Sequence, residues 1–153
     1  MRKEKIVASV EVESFAHATE DQRRVIQALL NVMPEDVRRR FDRKAILYNT
    51  LQGHYGNPIT YYRFRLEREE AQRVAEYLLK SFDDTDSELI LSSLENRSDG
   101  SSLYLRIDKQ YAYLGKIRLL QGDDVIRIKI SFLPHIRGYE RIRDAVRQLG
   151  LKG

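Results

Sequence analysis

Residues 59–82 read ITYYRFRLEREEAQRVAEYLLKSF, and the apolar period changes inside them. From Ile59 to Leu66, Tyr62, Phe64 and Leu66 share one side, while Tyr61, Arg63 and Arg65 share the other. A period of two marks a half-buried strand. From Arg68 to Phe82 the apolar residues are Ala71, Val74, Ala75, Leu78, Leu79 and Phe82, which form one stripe at helical spacing. A one-sided strand followed directly by a one-sided helix predicts a sheet layer packed on a helix layer.

The neighbouring segments extend this pattern. From Ile6 to Ala18, Ile6, Ala8, Val10 and Val12 point one way and Ser9, Glu11 and Glu13 the other, which predicts a first strand. Thr19 and Gln22 have capping-box spacing before the helical positions Val25, Ile26, Leu29, Leu30 and Met33. Pro34 suits the first turn of a second helix over 35–41. Ala45 to Gln52 reads as a strand, with Leu47 and Leu51 on one face and Tyr48 on the other. Turn formers from Gly53 to Pro58 join it to Ile59–Leu66 as a hairpin. After Phe82, Thr85 and Glu88 suggest a cap for a helix through Ile90, Leu91 and Leu94, which Ser98-Asp99-Gly100 stops. Strands are then expected at 102–108, 116–120 and 125–132, the last two joined by a hairpin at Gly122-Asp123-Asp124. A closing helix from Arg137 to Leu149 is expected to bury Tyr139, Ile142, Ala145, Val146 and Leu149. The fold class is α+β: one domain over 1–153, a mostly antiparallel sheet with helices on one face, in the order β-α-α-β-β-α-α-β-β-β-α.

Composition removes several functions. There is no cysteine, so disulfides, thiolate metal sites and thiol catalysis are absent. The start of the chain is charged and broken by Ser9, Glu11 and Glu13, so no signal-peptide core fits there. No run of about 18 apolar residues occurs, so no membrane helix is expected, and a cytoplasmic location follows. Net charge is +4, a mild value. Its kind is more informative: the chain has 19 arginines against 8 lysines, with nine tyrosines and no tryptophan. Arginine offers a planar fork of donors that matches phosphate and stacks on bases.

These residues gather on the solvent sides of the predicted strands. Tyr61, Arg63 and Arg65 face outward from one strand, Tyr104, Arg106 and Asp108 from another, and Val125, Arg127 and Lys129 from the last. Tyrosine rings stack on unpaired bases and arginines hold phosphates, so this face reads as an RNA platform. An ordinary solvated strand face carries the same residue types, and both readings stand. Arg38, Arg39, Arg40, Arg43 and Lys44 place five cations in seven positions. They suit phosphate, or equally the carboxyl end of a helix dipole. Arg137, Arg141, Arg143 and Arg147 on the last helix pair with Glu140 and Asp144 as ordinary surface charges.

Nothing in the spacing indicates catalysis. His17, His54 and His135 lie far apart without metal-ligand spacing. Phosphate-cradling glycine loops and nucleophile elbows are missing. Asp83-Asp84 and Asp123-Asp124 fall at chain breaks, where turn chemistry accounts for them. No cofactor or metal is expected.

Three segments form a recognisable set: 12–20 (VESFAHATE), 53–59 (GHYGNPI) and 103–110 (LYLRIDKQ), the last continuing through Ala112-Tyr113-Leu114-Gly115 to Asp123-Asp124-Val125-Ile126-Arg127. Together they resemble a family of archaeal RNA-binding proteins described as predicted exosome subunits. The resemblance covers most of the chain in the same order. It implies an α+β fold similar to the fifth large-subunit ribosomal protein, RNA binding without catalysis or cofactor, and RNA-processing proteins such as the exosome as partners. His54, Tyr55, Asn57, Lys109 and Gln110 lie in its most specific motifs and become candidate RNA contacts. Turn geometry at Gly53–Pro58 and a hydrogen-bonded strand end at Asp108–Gln110 are the alternative readings of those motifs. The expected function is a non-catalytic RNA-binding accessory factor. The alternative is an adaptor that docks on a larger complex without touching RNA.

Overall fold

The fold was obtained as a computed structural model, which describes residues 4–52 and 56–152. Its strands are β1 (Val7–Ala16), β2 (Leu47–Gln52), β3 (Pro58–Glu67), β4 (Ser102–Ile107) and β5 (Ile126–Phe132). The helices are α1 (Gln22–Leu30), α2 (Glu35–Arg40), α3 (Arg68–Ser81), α4 (Asp84–Ser92), α5 (Leu94–Arg97), α6 (Lys109–Tyr113) and α7 (Tyr139–Gln148). The strands form one sheet in the order β2-β3-β1-β5-β4, with every neighbouring pair antiparallel. This is a mixed α+β fold in which helices surround an antiparallel sheet. Among the described residues, no helix is long and apolar enough to cross a membrane.

Strand alternation builds the core. Val10, Val12, Tyr62, Phe64, Leu66, Leu103, Leu105, Ile107, Ile126, Ile128 and Ile130 are buried. The α3 stripe of Ala71, Val74, Ala75, Leu78 and Leu79 is buried with them, and α3 packs on β1 and β3. Each large aliphatic side chain so buried contributes about 1.5–3 kcal/mol, and truncating Leu78 to alanine would cost about 2–5 kcal/mol. One polar side chain helps fix the start of the sheet. Gln72 accepts from the backbone N–H groups of Ile6 (2.9 Å) and Val7 (3.0 Å) and donates to the Glu4 carbonyl (2.8 Å).

The structure departs from the sequence reading at several points. Lys116–Leu120 is not a strand and forms no hairpin with β5. It touches the outer edge of β4 through a single bridge, Ile107 to Leu119. The Asp108 N–H donates to Arg118 (2.9 Å) and the Leu120 N–H to Arg106 (3.1 Å). The expected strand end at Asp108–Gln110 is instead the start of α6, because Asp108 accepts from the Gln110 and Tyr111 N–H groups. Asp21 and Asp83, not Thr19 and Thr85, cap α1 and α4. Ala8 sits at a bulge where β1 shifts register against β5, so it leaves the inner face. Val125 lies just before β5 and is buried rather than outward, and Tyr139 at the start of α7 is exposed rather than buried.

Candidate nucleic-acid interface

The face of the sheet opposite the core is open. Pairing register sets its side chains in rows across the strands. One row runs Leu47, Arg63, Glu13, Arg127, Arg106 from β2 to β4. The next runs Arg65, Glu11, Lys129, Tyr104. A third holds Asn49, Tyr61 and Phe15. Neighbouring strands lie about 4.8 Å apart, so the members of each row are within reach of one another. The first two rows line a groove of about 660 Å³. Its lining includes Arg63, Arg65, Arg106, Arg127 and Lys129 against the two carboxylates Glu11 and Glu13.

Those carboxylates come from β1, which lies between β3 and β5. Glu11 meets Arg65 (3.4 Å) and Lys129 (3.9 Å), and Arg65 also meets Glu67 (3.1 Å). Arg127 meets the exposed Asp123 at 3.3 Å. Solvent-exposed pairs of this kind contribute about 0–1 kcal/mol, so a phosphate can displace them. Among the described residues, neither Arg63 nor Arg106 has a carboxylate partner. Arg63 lies over the Tyr61 ring at 5.5 Å, and Arg106 donates to the Gly122 carbonyl at 3.2 Å.

Two tyrosines are held in place. The Tyr61 hydroxyl donates to Glu13, and its ring lies 4.9 Å from that of Phe15. Burial, followed by the hydrogen bond to Glu13, pushes its phenol up to about 12. The Tyr104 hydroxyl donates to Asp99 at 2.9 Å, and the Lys129 ammonium lies 5.7 Å from its ring centre. Burial and the Asp99 hydrogen bond raise the Tyr104 phenol as well. The backbone N–H of Ser101, then that of Ser102, with the hydroxyls of Tyr104 and Ser101, hold the Asp99 carboxyl far below the ordinary carboxylate range. From sequence, Asp99 reads only as part of a helix stop. The serines two and three positions on are the available sign of an Asx turn.

The remaining candidates divide by location. Arg38 donates to Asn31 (2.5 Å), whose amide donates to the carbonyls of Ala112 (2.9 Å) and Tyr113 (3.2 Å), so it supports the packing of α1 on α6. Arg39 and Arg40 pair one helical turn back with Glu35 and Asp36. Arg43 and Lys44 are exposed in a 3-10 turn beside Ala45, which lines the groove. Asn57 is exposed ahead of β3. Gln110 is exposed beside a separate hollow that Arg24 and Tyr113 also line. His54 and Tyr55 lie outside the described residues.

Lys109 is an internal tie. Its side chain is 8% exposed, and its ammonium donates to the Phe15 carbonyl (2.9 Å) and both Glu20 oxygens (2.9 and 3.0 Å) and forms an ion pair with Asp124 (2.5 Å). His17, Glu20 and Asp124 bring ligand-type atoms within 4.8 Å of one another. The Lys109 ammonium already sits against both carboxylates of that set.

The open face of the antiparallel sheet thus carries five cations, two carboxylates and two tyrosines held by hydrogen bonds. A family model described as RNA binding matches residues 9–132. The chain belongs to this RNA-binding family. It is similar to the uncharacterized protein MJ0213 of Methanocaldococcus jannaschii, 35% identical over 129 residues that cover 81% of this chain and 83% of that protein. It is also similar to the RNA-binding protein PAB1135 of Pyrococcus abyssi, 29% identical over 144 residues covering 92% and 91%. Among solved structures, Mth689, a DUF54 protein from Methanothermobacter thermautotrophicus, is similar with a TM-score of 0.70 and 27% identity over 95% of this chain and 98% of that one.

Proposed function

We propose that RNA lies along the open face of the sheet, with Arg63, Arg65, Arg106, Arg127 and Lys129 on phosphates and Tyr104 as the principal stacking ring. Five basic side chains facing two carboxylates in one groove carry this reading. Arg63 and Arg106 engage phosphate first, because no carboxylate has to be displaced from them. Tyr61 lies between Phe15 and Arg63 and offers a ring edge rather than a free face. Arg43 and Lys44 extend the phosphate track at the rim, and Asn57, Gln110, His54 and Tyr55 are peripheral contacts. Arg38 and Lys109 act by holding the scaffold. The wider role is an accessory one in cytoplasmic RNA processing or exosome-mediated decay, on a fold with kinship to the fifth large-subunit ribosomal protein.

Fluorescence anisotropy with single-stranded and structured RNA at a series of salt concentrations tests the mechanism. Binding falls with salt, with a log–log slope of about −0.7 per neutralised phosphate on single strands. Absence of binding at low salt, or a slope near zero, refutes phosphate gripping. Crosslinking in cells, with identification of attached RNA and co-purified proteins, tests the wider role.

A further inference from the structure

β2 ends the sheet, and among the described residues no strand pairs with its outer edge. An open edge presents unpaired main-chain donors and acceptors to any other strand. Natural edges are guarded by lysine, proline, a bulge or a covering loop. The opposite edge of this sheet has such a cover, the 116–120 segment on β4. β2 has none. Its sequence, LYNTLQ, carries no charge, and its register with β3 is unbroken from Leu47 opposite Arg63 to Gln52 opposite Pro58. All six residues are exposed, including Leu47 at 54%, Tyr48 at 68% and Leu51 at 49%.

The order of these side chains selects the occupant. On the groove side β2 presents Leu47, Asn49 and Leu51, a pattern that reads the same in both directions. Residues directly opposite one another in an antiparallel pair share a face. A second β2 laid antiparallel with Asn49 against Asn49 therefore sets Leu47 against the partner's Leu51, and Leu51 against the partner's Leu47. On the other face Tyr48 meets the partner's Thr50. A slip of one residue sets side chains from opposite faces against each other and loses the leucine pairs. With no charge on the strand, two copies meet without repulsion, whereas a polyanion finds no cation there.

We propose that β2 is a self-association edge: a second copy of this chain docks its own β2 antiparallel, about a two-fold axis at Asn49. The two sheets become one, and the cation-lined faces of both copies lie on the same side. The proposal does not depend on how RNA is gripped and is tested without RNA.

Sedimentation equilibrium over a wide concentration range should show the mass rising from 18.0 kDa towards twice that value. The chain has no cysteine, so Asn49→Cys introduces a single thiol at the axis. A short bis-maleimide should link it into covalent dimers, while Leu89→Cys, exposed on α4 away from the edge, should not be cross-linked. Asn49→Lys places like charges face to face and should restore the monomer with its circular dichroism unchanged. A mass fixed at 18.0 kDa at every concentration, equal cross-linking of the two cysteine variants, or a dimer that survives Asn49→Lys each overturns the proposal.

Discussion

Replacing Lys109 with methionine keeps the length of the side chain and removes its charge. Three interactions go at once. The Phe15 carbonyl is left without its donor, and Glu20 and Asp124 face each other without the ammonium between them. Breaking a fully buried ion pair costs about 3–5 kcal/mol. Water reaches both carboxylates here, since their side chains are 28% and 64% exposed. Screening reduces the expected loss to about 2–3 kcal/mol. For a chain of this size about 1 kcal/mol shifts the melting temperature by roughly 2–4 °C, so Lys109→Met should melt about 4–12 °C lower. Thermal unfolding by circular dichroism measures this, and RNA affinity is measured on the same sample well below the transition. Affinity should stay near that of the unaltered protein. An unchanged melting temperature with a large loss of affinity would make Lys109 a phosphate ligand and refute its role as an internal tie.

Arg63→Ala and Arg106→Ala should each weaken RNA binding without shifting thermal stability, and each should lower the salt slope by about 0.7 for every phosphate no longer neutralised; an unchanged slope in anisotropy titrations counts against the groove. Tyr104→Ala should cost about 1–3 kcal/mol of binding through the missing stacking, while Tyr104→Phe, which keeps the ring and gives up the Asp99 bond, should retain most of it. The Tyr61 phenol should ionise near 12 rather than near the ordinary value of about 10, and Glu13→Gln should move its ultraviolet transition to lower pH. The folded value is raised, so the stability Tyr61 contributes is complete below about pH 10 and is lost as pH climbs through about 12. Denaturant titrations across that window should follow this fall, and stability that is flat or rising there would contradict it.

Elements whose identity depends on local pattern were legible in the sequence. The two-residue period of 59–66 and the helical stripe of 68–82 become β3 and α3. The outward placement of Arg63, Arg106, Arg127 and Lys129 also follows from alternation alone. Two kinds of feature were not legible. Short elements carry too few residues for a period, so the five-residue α6 reads as a strand end and Lys116–Leu120 as a strand. Non-local pairing leaves no mark on local sequence. That β1 would set Glu11 and Glu13 between two basic strands depends on partners far along the chain. Lys109 shows the same limit: a charged residue in a specific motif reads as a surface group until Phe15 and Glu20, 94 and 89 residues away, close around it.

The central position of β1 also governs how the chain must be made. Residues 7–16 are made long before β5, their second neighbour, which is complete only at Phe132. At about 5–20 residues per second, one flank of the nascent strand waits roughly 6–25 s for its mate. Over that interval the half-built sheet offers Val10 and Val12 to any passing chain. Glu11 and Glu13 alternate with them and repel a second copy of the same strand, as gatekeeper charges do. The acidic pair that dilutes the basic face of the finished protein thus protects its synthesis.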